Sequence, residues 1–185
     1  MMKEIAPKIW KLNVDSNIYF LDLKEKIIID AGPKAYRAVV EEELSKVVSL
    51  DKIDRVIFTH LHYDHIGNFE LFPNAKFYTS AEEIKLLEKN KMYAVGDPLL
   101  AKEFKIKLHP LKDFLGLKVI STPGHTKGSV CLYYEKEKIL FSGDTVFFNG
   151  FGRIDFPFSD PGKMEESLEK VEKIGYKILA PGHDY

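Results

Sequence analysis

Apolar and polar residues recur at two different periods along the chain, and the switches between those periods predict its elements. Lys8–Val14, Asn17–Leu23 and Lys26–Asp30 are rich in β-branched and aromatic residues, with turn residues Asp15-Ser16-Asn17 and Lys24-Glu25 between them, so they read as three short strands. Ile27-Ile28-Ile29 is an unbroken apolar run, as expected of a strand covered on both faces. From Lys34 to Val48 the period lengthens, and Tyr36, Val40, Leu44 and Val47 recur at helical spacing. Strands at Asp54–Thr59 and Ala75–Thr79 follow. Ser80 stands where a helix cap belongs, with Glu83 three residues on at the capping-box spacing, and that helix reaches Asn90. Lys91–Leu111 shows no clear period and contains a turn at Gly96-Asp97-Pro98. Strands return at Leu117–Thr122, Val130–Tyr134 and Lys138–Ser142. Ser159 or Asp160 caps a last helix with Pro161 in its first turn and Met164, Leu168, Val171 and Ile174 on its apolar face. Gly175 ends it, and Tyr176–Ala180 is the final strand. Strands interspersed with amphipathic helices predict an α/β or α+β layered fold, with residues 1–185 as one domain.

Composition narrows the function classes. Hydrophobic residues make up 45% and charged residues 30%, the profile of a globular rather than a disordered chain. Lys plus Arg number 27 against 28 Asp plus Glu, so there is no basic excess of the kind phosphate-binding proteins carry. No apolar run has the length of a secretory signal or a membrane span, so the expectation is a cytoplasmic protein with a small-molecule substrate, without nucleic-acid or membrane partners, as a monomer or small homo-oligomer. Cys131 is the only cysteine, which excludes an intrachain disulfide framework. It alternates within a strand and reads as a buried, inert thiol.

The chemistry sits in the histidines. Three of the six fall in His60-x-His62-x-Asp64-His65; from the residue frequencies alone such a four-residue set arises by chance roughly 4 × 10⁻⁴ times per chain of this length. Imidazole and carboxylate are ligands for zinc, iron or manganese, and the lack of thiolates disfavours a structural zinc site of the cysteine type. His60 and His62 are two apart, so an extended backbone points both the same way. Asp64 and His65 follow where the chain must turn and address a neighbouring point, an arrangement that suits two metals better than one. His125, Asp144 and His183 each come just after an apolar strand, in Pro123-Gly124-His125, Ser142-Gly143-Asp144 and Pro181-Gly182-His183. Strand ends that project polar residues into a common cleft are the usual construction of a site in layered α/β proteins. His109, beside Pro110 in the unpatterned stretch, reads as a surface histidine.

Together, Thr59-His60-Leu61-His62-Tyr63-Asp64-His65, Pro123-Gly124-His125-Thr126, Ser142-Gly143-Asp144-Thr145 and Gly182-His183 resemble the metallo-β-lactamase superfamily, and Ile28-Ile29-Asp30-Ala31-Gly32 is similar to its early strand motif. The resemblance implies a four-layer αββα sandwich with two divalent metal ions, zinc first and iron or manganese as alternatives. It also implies that His60, His62 and His125 hold one metal, that Asp64, His65 and His183 hold the other, and that Asp144 bridges them. Asp30 then orients a ligand from behind by hydrogen bond.

Gly150-Phe151-Gly152-Arg153-Ile154-Asp155-Phe156 is similar to the glyoxalase II-like group and to persulfide dioxygenases, and Gly182-His183-Asp184-Tyr185 to the end of the glyoxalase II catalytic domain. Cysteine, which the commonest zinc β-lactamases carry at the position of Asp144, is absent there. The helical domain that follows in full-length glyoxalase II lies outside this chain, and Asp155 replaces the tyrosine that glyoxalase II offers glutathione. The expected activity is hydrolysis of a small thioester by metal-bound hydroxide, since a bound metal lowers the pKa of water from 15.7 to about 7. Asp64 and Asp144 would orient the water or accept its proton. Arg153 and Tyr185 are the substrate-binding candidates; Arg153 could instead pair with Asp155, and Tyr185 could be a free chain end. The alternatives are a mononuclear iron persulfide dioxygenase using His60, His125 and Asp144, and a lactone hydrolase.

Overall fold

Ile27, Ile28 and Ile29 share one strand and face two different cores. The computed structural model describes residues 1–185. Strands β1 (Lys3–Ala6), β2 (Ile9–Asn13), β3 (Asn17–Asp22) and β4 (Lys26–Ile29) form an antiparallel meander. Helix α1 (Arg37–Ser45) leads to β5 (Arg55–Ile57), which carries the chain through the short helix α2 (Tyr63–Ile66) to β6 (Lys76–Thr79). Helices α3 (Ala81–Lys89), α4 (Lys91–Val95) and α5 (Pro98–Glu103) precede β7 (Leu108–Pro110). Strands β4 to β7 add in parallel to the meander and complete a seven-stranded sheet in sequence order. The second sheet has β8 (Leu117–Ser121), β9 (Val130–Tyr134), β10 (Ile139–Gly143) and, after helix α6 (Pro161–Glu172), β11 (Ile178–Pro181), in the order β11-β10-β9-β8.

Side-chain alternation along each strand then builds the layers. Tyr19, Leu21, Ile27, Ile29 and Ile57 of the first sheet meet Leu132, Ile139, Phe141 and Ala180 of the second. On its other face the first sheet turns Ile18, Phe20, Ile28, Val56 and Phe58 toward Val40 and Leu44 of α1 and toward Val95, Leu100 and Phe104 of the α4–α5 segment. The second sheet turns Cys131 and Leu140 toward Val171 of α6. The result is the αββα sandwich. No helix is long and apolar enough to cross a membrane.

Several boundaries differ from the sequence expectation, each for a local reason. Lys8 has φ +65°, so it turns the chain between β1 and β2 rather than opening a strand, and β1 is an additional strand. Helix α1 is preceded by a single 3₁₀ turn at Lys34–Tyr36 and ends at Ser45, so Tyr36 and Val47 fall outside it and are exposed while Val40 and Leu44 are buried. The stretch without periodicity is two helices and a three-residue strand, β7, all too short to show one. Asn90 caps α4 and Asp97 caps α5, and Gly96, with φ +74°, ends α4. Asp160 is the N-cap position of α6 but makes no capping bond, and the Ser159 hydroxyl instead donates to His125 O at 2.7 Å.

Candidate metal centre

All the candidate ligands gather at one rim of the sandwich, at the ends of β5, β8, β10 and β11. After β5 the chain bends at Thr59–His60 and is extended again at His62 (φ −66°, ψ 148°), and His60 and His62 still converge with His125. One turn of helix follows, closed by His65 N donating to His62 O at 2.9 Å, and it carries Asp64 and His65 around to an adjacent point. His125 lies in the loop after β8. Strands β10 and β11 run parallel, which brings Asp144 and His183 side by side, with Gly182 N donating to Gly143 O at 2.7 Å.

The donors form two neighbouring groups. In the first, His62 Nδ1 is 2.8 Å and His60 Nε2 is 3.2 Å from His125 Nε2. Those spacings approach the ~3.3 Å separating ligands about 2.05 Å from a tetrahedral zinc. His125 Nδ1 donates to Arg153 O at 2.7 Å, which leaves Nε2 as a free lone pair. In the second group His183 Nε2 is 3.2 Å and His65 Nε2 is 3.6 Å from Asp64 Oδ2. Asp144 faces both groups: it lies 3.2 Å from His65 Nε2, 3.5 Å from His125 Nε2 and 3.6 Å from His183 Nε2. His65 Nε2 and Asp144 Oδ1 are buried and make no hydrogen bond. Orphaned buried polar atoms facing one another are costly, and a cation between them removes the cost. The donor set fits one or two divalent metals on chemistry and spacing alike, and His60, His65 and Asp144 also converge.

Asp30 braces the cluster from behind. It takes a left-handed φ of +56° at the end of β4, where its Oδ1 accepts from Thr59 N at 2.8 Å. Its Oδ2 accepts from Thr59 Oγ1 at 2.8 Å and from His65 Nδ1 at 3.0 Å. His183 Nδ1 donates to Asp15 O at 3.0 Å, and Ser16 Oγ donates to Asp64 O at 2.6 Å. Asp15 and Ser16, the turn between β2 and β3, thus support the second group, a role no sequence signal carried.

Electrostatics divide the groups. Burial and then the neighbouring imidazoles hold His60 well below the usual histidine range and His62 at about 3, and burial lowers His125 against the pull of Asp144. These three present neutral lone pairs. Burial also pulls on His65 and His183, but the carboxylates of Asp144 and Asp64 outweigh it and raise both. Burial is likewise outweighed at Asp64, where His65 and then His183 hold the carboxyl below its usual range, and at Asp144, where His65 and then His125 do so.

Glycines allow the close approach. A Cβ on Gly182 would lie 2.2 Å from Asp144 Oδ1 and 2.9 Å from Gly143 C. Gly182→Ala is therefore expected to displace the Asp144 carboxylate, reduce bound zinc and cost about 10²-fold in turnover, the effect of a misplacement near 1 Å. Zinc content by mass spectrometry checks this, and unchanged content contradicts it.

Glu83 departs from its capping-box reading. The Ser80 hydroxyl does cap α3, accepting from Glu83 N at 3.0 Å. The Glu83 carboxylate does not return the bond but turns inward, where burial pushes it up to about 7. A raised carboxyl favours the folded state below the unfolded value near 4.5, and that advantage is lost as pH rises through 7. The stability of the wild type relative to Glu83→Gln is thus expected to fall by about 1–3 kcal/mol between pH 5 and 8, read by denaturant unfolding of the metal-free proteins. A pH-independent difference contradicts it.

The cluster floors a cleft of about 560 Å³ whose walls are Tyr63, Phe147, Phe151, Phe156 and Tyr185, with Arg153 at the rim. Arg153 binds Asp155 in a fork at 3.0 and 2.8 Å and lies 4.6 Å over the Phe156 ring. Tyr185 stacks on the His183 ring at 5.0 Å. His109 lies on β7 beside Tyr78, apart from the cluster. Cys131 is buried, with its thiol pushed up to about 11 by burial.

Comparison with known proteins agrees with this geometry. A probable metallo-hydrolase of Methanocaldococcus jannaschii is 33% identical over 95% of this chain and 92% of its own length. A hydroxyacylglutathione hydrolase of Francisella philomiragia is 33% identical over 96% of this chain, which spans 67% of that protein. A related Francisella tularensis subsp. novicida hydrolase is matched over 50% of its length. Among solved structures, the flavodiiron protein of Giardia intestinalis superposes with a TM-score of 0.76 at 19% identity, over 99% of this chain and 54% of that one. A protein crystallised in a di-iron-bound form superposes with a TM-score of 0.75 at 23% identity, over 94% and 92%. Family and relatives together support a metal-dependent hydrolase. The family model for the metallo-beta-lactamase superfamily matches residues 13–183, from β2 to the last histidine, and the chain belongs to that superfamily.

Proposed function

We propose that the chain is a dinuclear metal-dependent hydrolase of a small thioester, with residues 1–185 as one catalytic domain. The observation that carries this reading is the convergence of seven donors into two adjacent groups that Asp144 faces together, at the floor of an open aromatic cleft. His60, His62 and His125 would hold one divalent cation and Asp64, His65 and His183 the other, with Asp144 between them; zinc suits these donors, as do iron and manganese. Cations held there supply Lewis acidity and a water acidified from a pKa of 15.7 to about 7.

The chain's own residues do the rest. Asp64 and Asp144, kept ionised by the facing histidines, orient that water or take its proton. Asp30 fixes the His65 ring, so the Asp144 carboxylate meets it in one geometry. The Phe147, Phe151 and Phe156 rings pack on the apolar part of the substrate and exclude bulk water. Arg153 stands at the rim and binds an anionic end of the substrate, exchanging part of its fork with Asp155. Tyr185, 61% exposed, covers the far wall. A thiolate leaves at neutral pH with little proton assistance, which matches a cluster rich in bases.

The relatives named as hydroxyacylglutathione hydrolases support the thioester reading. The test is thiol release from S-lactoylglutathione by zinc-loaded protein, beside lactone hydrolysis and oxygen uptake with glutathione persulfide by iron-loaded protein. Thioester turnover above the other two is expected. Oxygen uptake without thioester hydrolysis would move the assignment to a mononuclear iron dioxygenase using His60, His125 and Asp144, and dominant lactone turnover to a lactonase.

A further inference from the structure

Glu83 sits behind the first donor group and touches none of its rings. Its carboxylate is 1% exposed. Oε2 accepts from Leu61 N, between His60 and His62, at 3.0 Å, and Oε1 accepts from Thr126 Oγ1, next to His125, at 2.5 Å. We propose that Glu83 is a positioning residue for the first metal position, fixing the separation of the His60–His62 segment from the His125 loop by bonding both at once. The inference rests on the metal-binding reading above.

Three observations make the tie specific. First, the helix that carries Glu83 is clamped to the same loop, since Ser80 Oγ donates to Gly128 O at 2.7 Å. A Cβ on Gly128 would lie 2.5 Å from Glu83 N and 2.6 Å from Oε1, so the loop is pressed against the carboxylate. Second, the loop is rigid on its own account, because Thr126 Oγ1 and Ser129 Oγ are 2.8 Å apart and Thr122 N donates to Ser129 O at 2.9 Å. Movement at Glu83 therefore passes to His125 as a unit. Third, the two arms use different oxygens, Oε2 for Leu61 N and Oε1 for Thr126 Oγ1, so both atoms must accept. Glutamine fills the same volume but puts an NH₂ group in place of one of those two acceptor oxygens.

The second group is held by other parts. Asp30 takes His65, Asp15 takes His183 and Ser16 takes the Asp64 carbonyl, and none of these bonds involves Glu83. A defect at Glu83 should therefore fall on one metal position and spare its neighbour. Outer hydrogen-bond partners of metal ligands are typically worth 10- to 100-fold in metal affinity.

The experiment measures each position separately. Crystals of the wild type, Glu83→Gln and Ser16→Ala are equilibrated at one fixed free zinc concentration, and the occupancy of each position is read from anomalous diffraction at the zinc edge. Competition with a chromophoric chelator gives the affinities in solution. Glu83→Gln is expected to weaken zinc about 10- to 100-fold at the three-histidine position and leave the other within about twofold. Ser16→Ala is expected to weaken the other position instead. Should Glu83→Gln fail to fold, Thr126→Val removes one arm of the tie and leaves the carboxylate in place, with the same selectivity expected. Equal weakening at both positions, or none at either, overturns the positioning role. A wild type that binds no zinc overturns the metal reading itself, and the inference with it.

Discussion

Asp144→Ala is expected to lower kcat/KM for a thioester by at least about 10³-fold and to reduce bound zinc from two ions per chain to one or fewer. Asp144 is the carboxylate that both donor groups share, 3.2 Å from His65 Nε2 and 3.5 Å from His125 Nε2. If both groups hold a cation, Asp144→Ala would take a ligand from each and remove a carboxylate that could accept the proton of a bound water. A cation's polarising contribution is several kcal/mol, and about 4 kcal/mol corresponds to 10³-fold in rate. The fold should persist, since the side chain sits at the rim beyond β10 and packs in neither core. Circular dichroism, zinc content and steady-state thiol release on one sample check the three statements. Activity within tenfold of the wild type contradicts the shared role.

The second large effect is on stability. Stripping metal with a chelator is expected to lower Tm by about 8–16 °C for each position emptied. An ion present at 1,000 times its Kd stabilises the native state by about 4 kcal/mol, and each kcal/mol is worth about 2–4 °C in a chain of this size. The metal-free state also has a specific cost. Asp144 Oδ1 and His65 Nε2 are buried without hydrogen-bond partners. Scanning calorimetry with and without chelator, followed by zinc repletion, checks the size and the reversibility. A shift under about 2 °C contradicts the claim that bound metal contributes to the native state.

Much of the site was legible because its chemistry is unusual and local. His60-x-His62-x-Asp64-His65 carries much of its own geometry: the turn at Tyr63–Ile66 falls where expected, while a bend at Thr59–His60 replaces the unbroken extension. His125, Asp144 and His183 could be picked out because each follows an apolar strand. Asp30 came only with the family resemblance, because a lone aspartate after a strand is an ordinary turn residue. Phe151 and Phe156 fall within the Gly150–Phe156 motif, but only the structure shows them, with Phe147, as walls of the cleft. Glu83 was concealed by its context: its spacing from Ser80 satisfied a capping box, and only tertiary structure shows the carboxylate turned inward. Ser159 repeats the pattern, with a hydroxyl that fits a cap but bonds His125 O.

The same divide runs through the fold. Apolar strands were read to within a residue or two, as at Val130–Tyr134, while the first helix is three residues shorter at each end than its Lys34–Val48 pattern. Helices α4 and α5 escaped because five and six residues make too few turns for a period, and what was visible of them was the left-handed Gly96 between them. β1 escaped because Lys8 carries a positive φ that nothing in its side chain signals.

The most direct test of the central claim is a titration of metal-free protein with zinc, following bound metal and thiol release from S-lactoylglutathione in the same cuvette. The expected result is two equivalents bound per chain, with turnover rising as the second is taken up. Full turnover with one equivalent, or two equivalents bound with no thioester hydrolysed, would contradict a dinuclear thioester hydrolase.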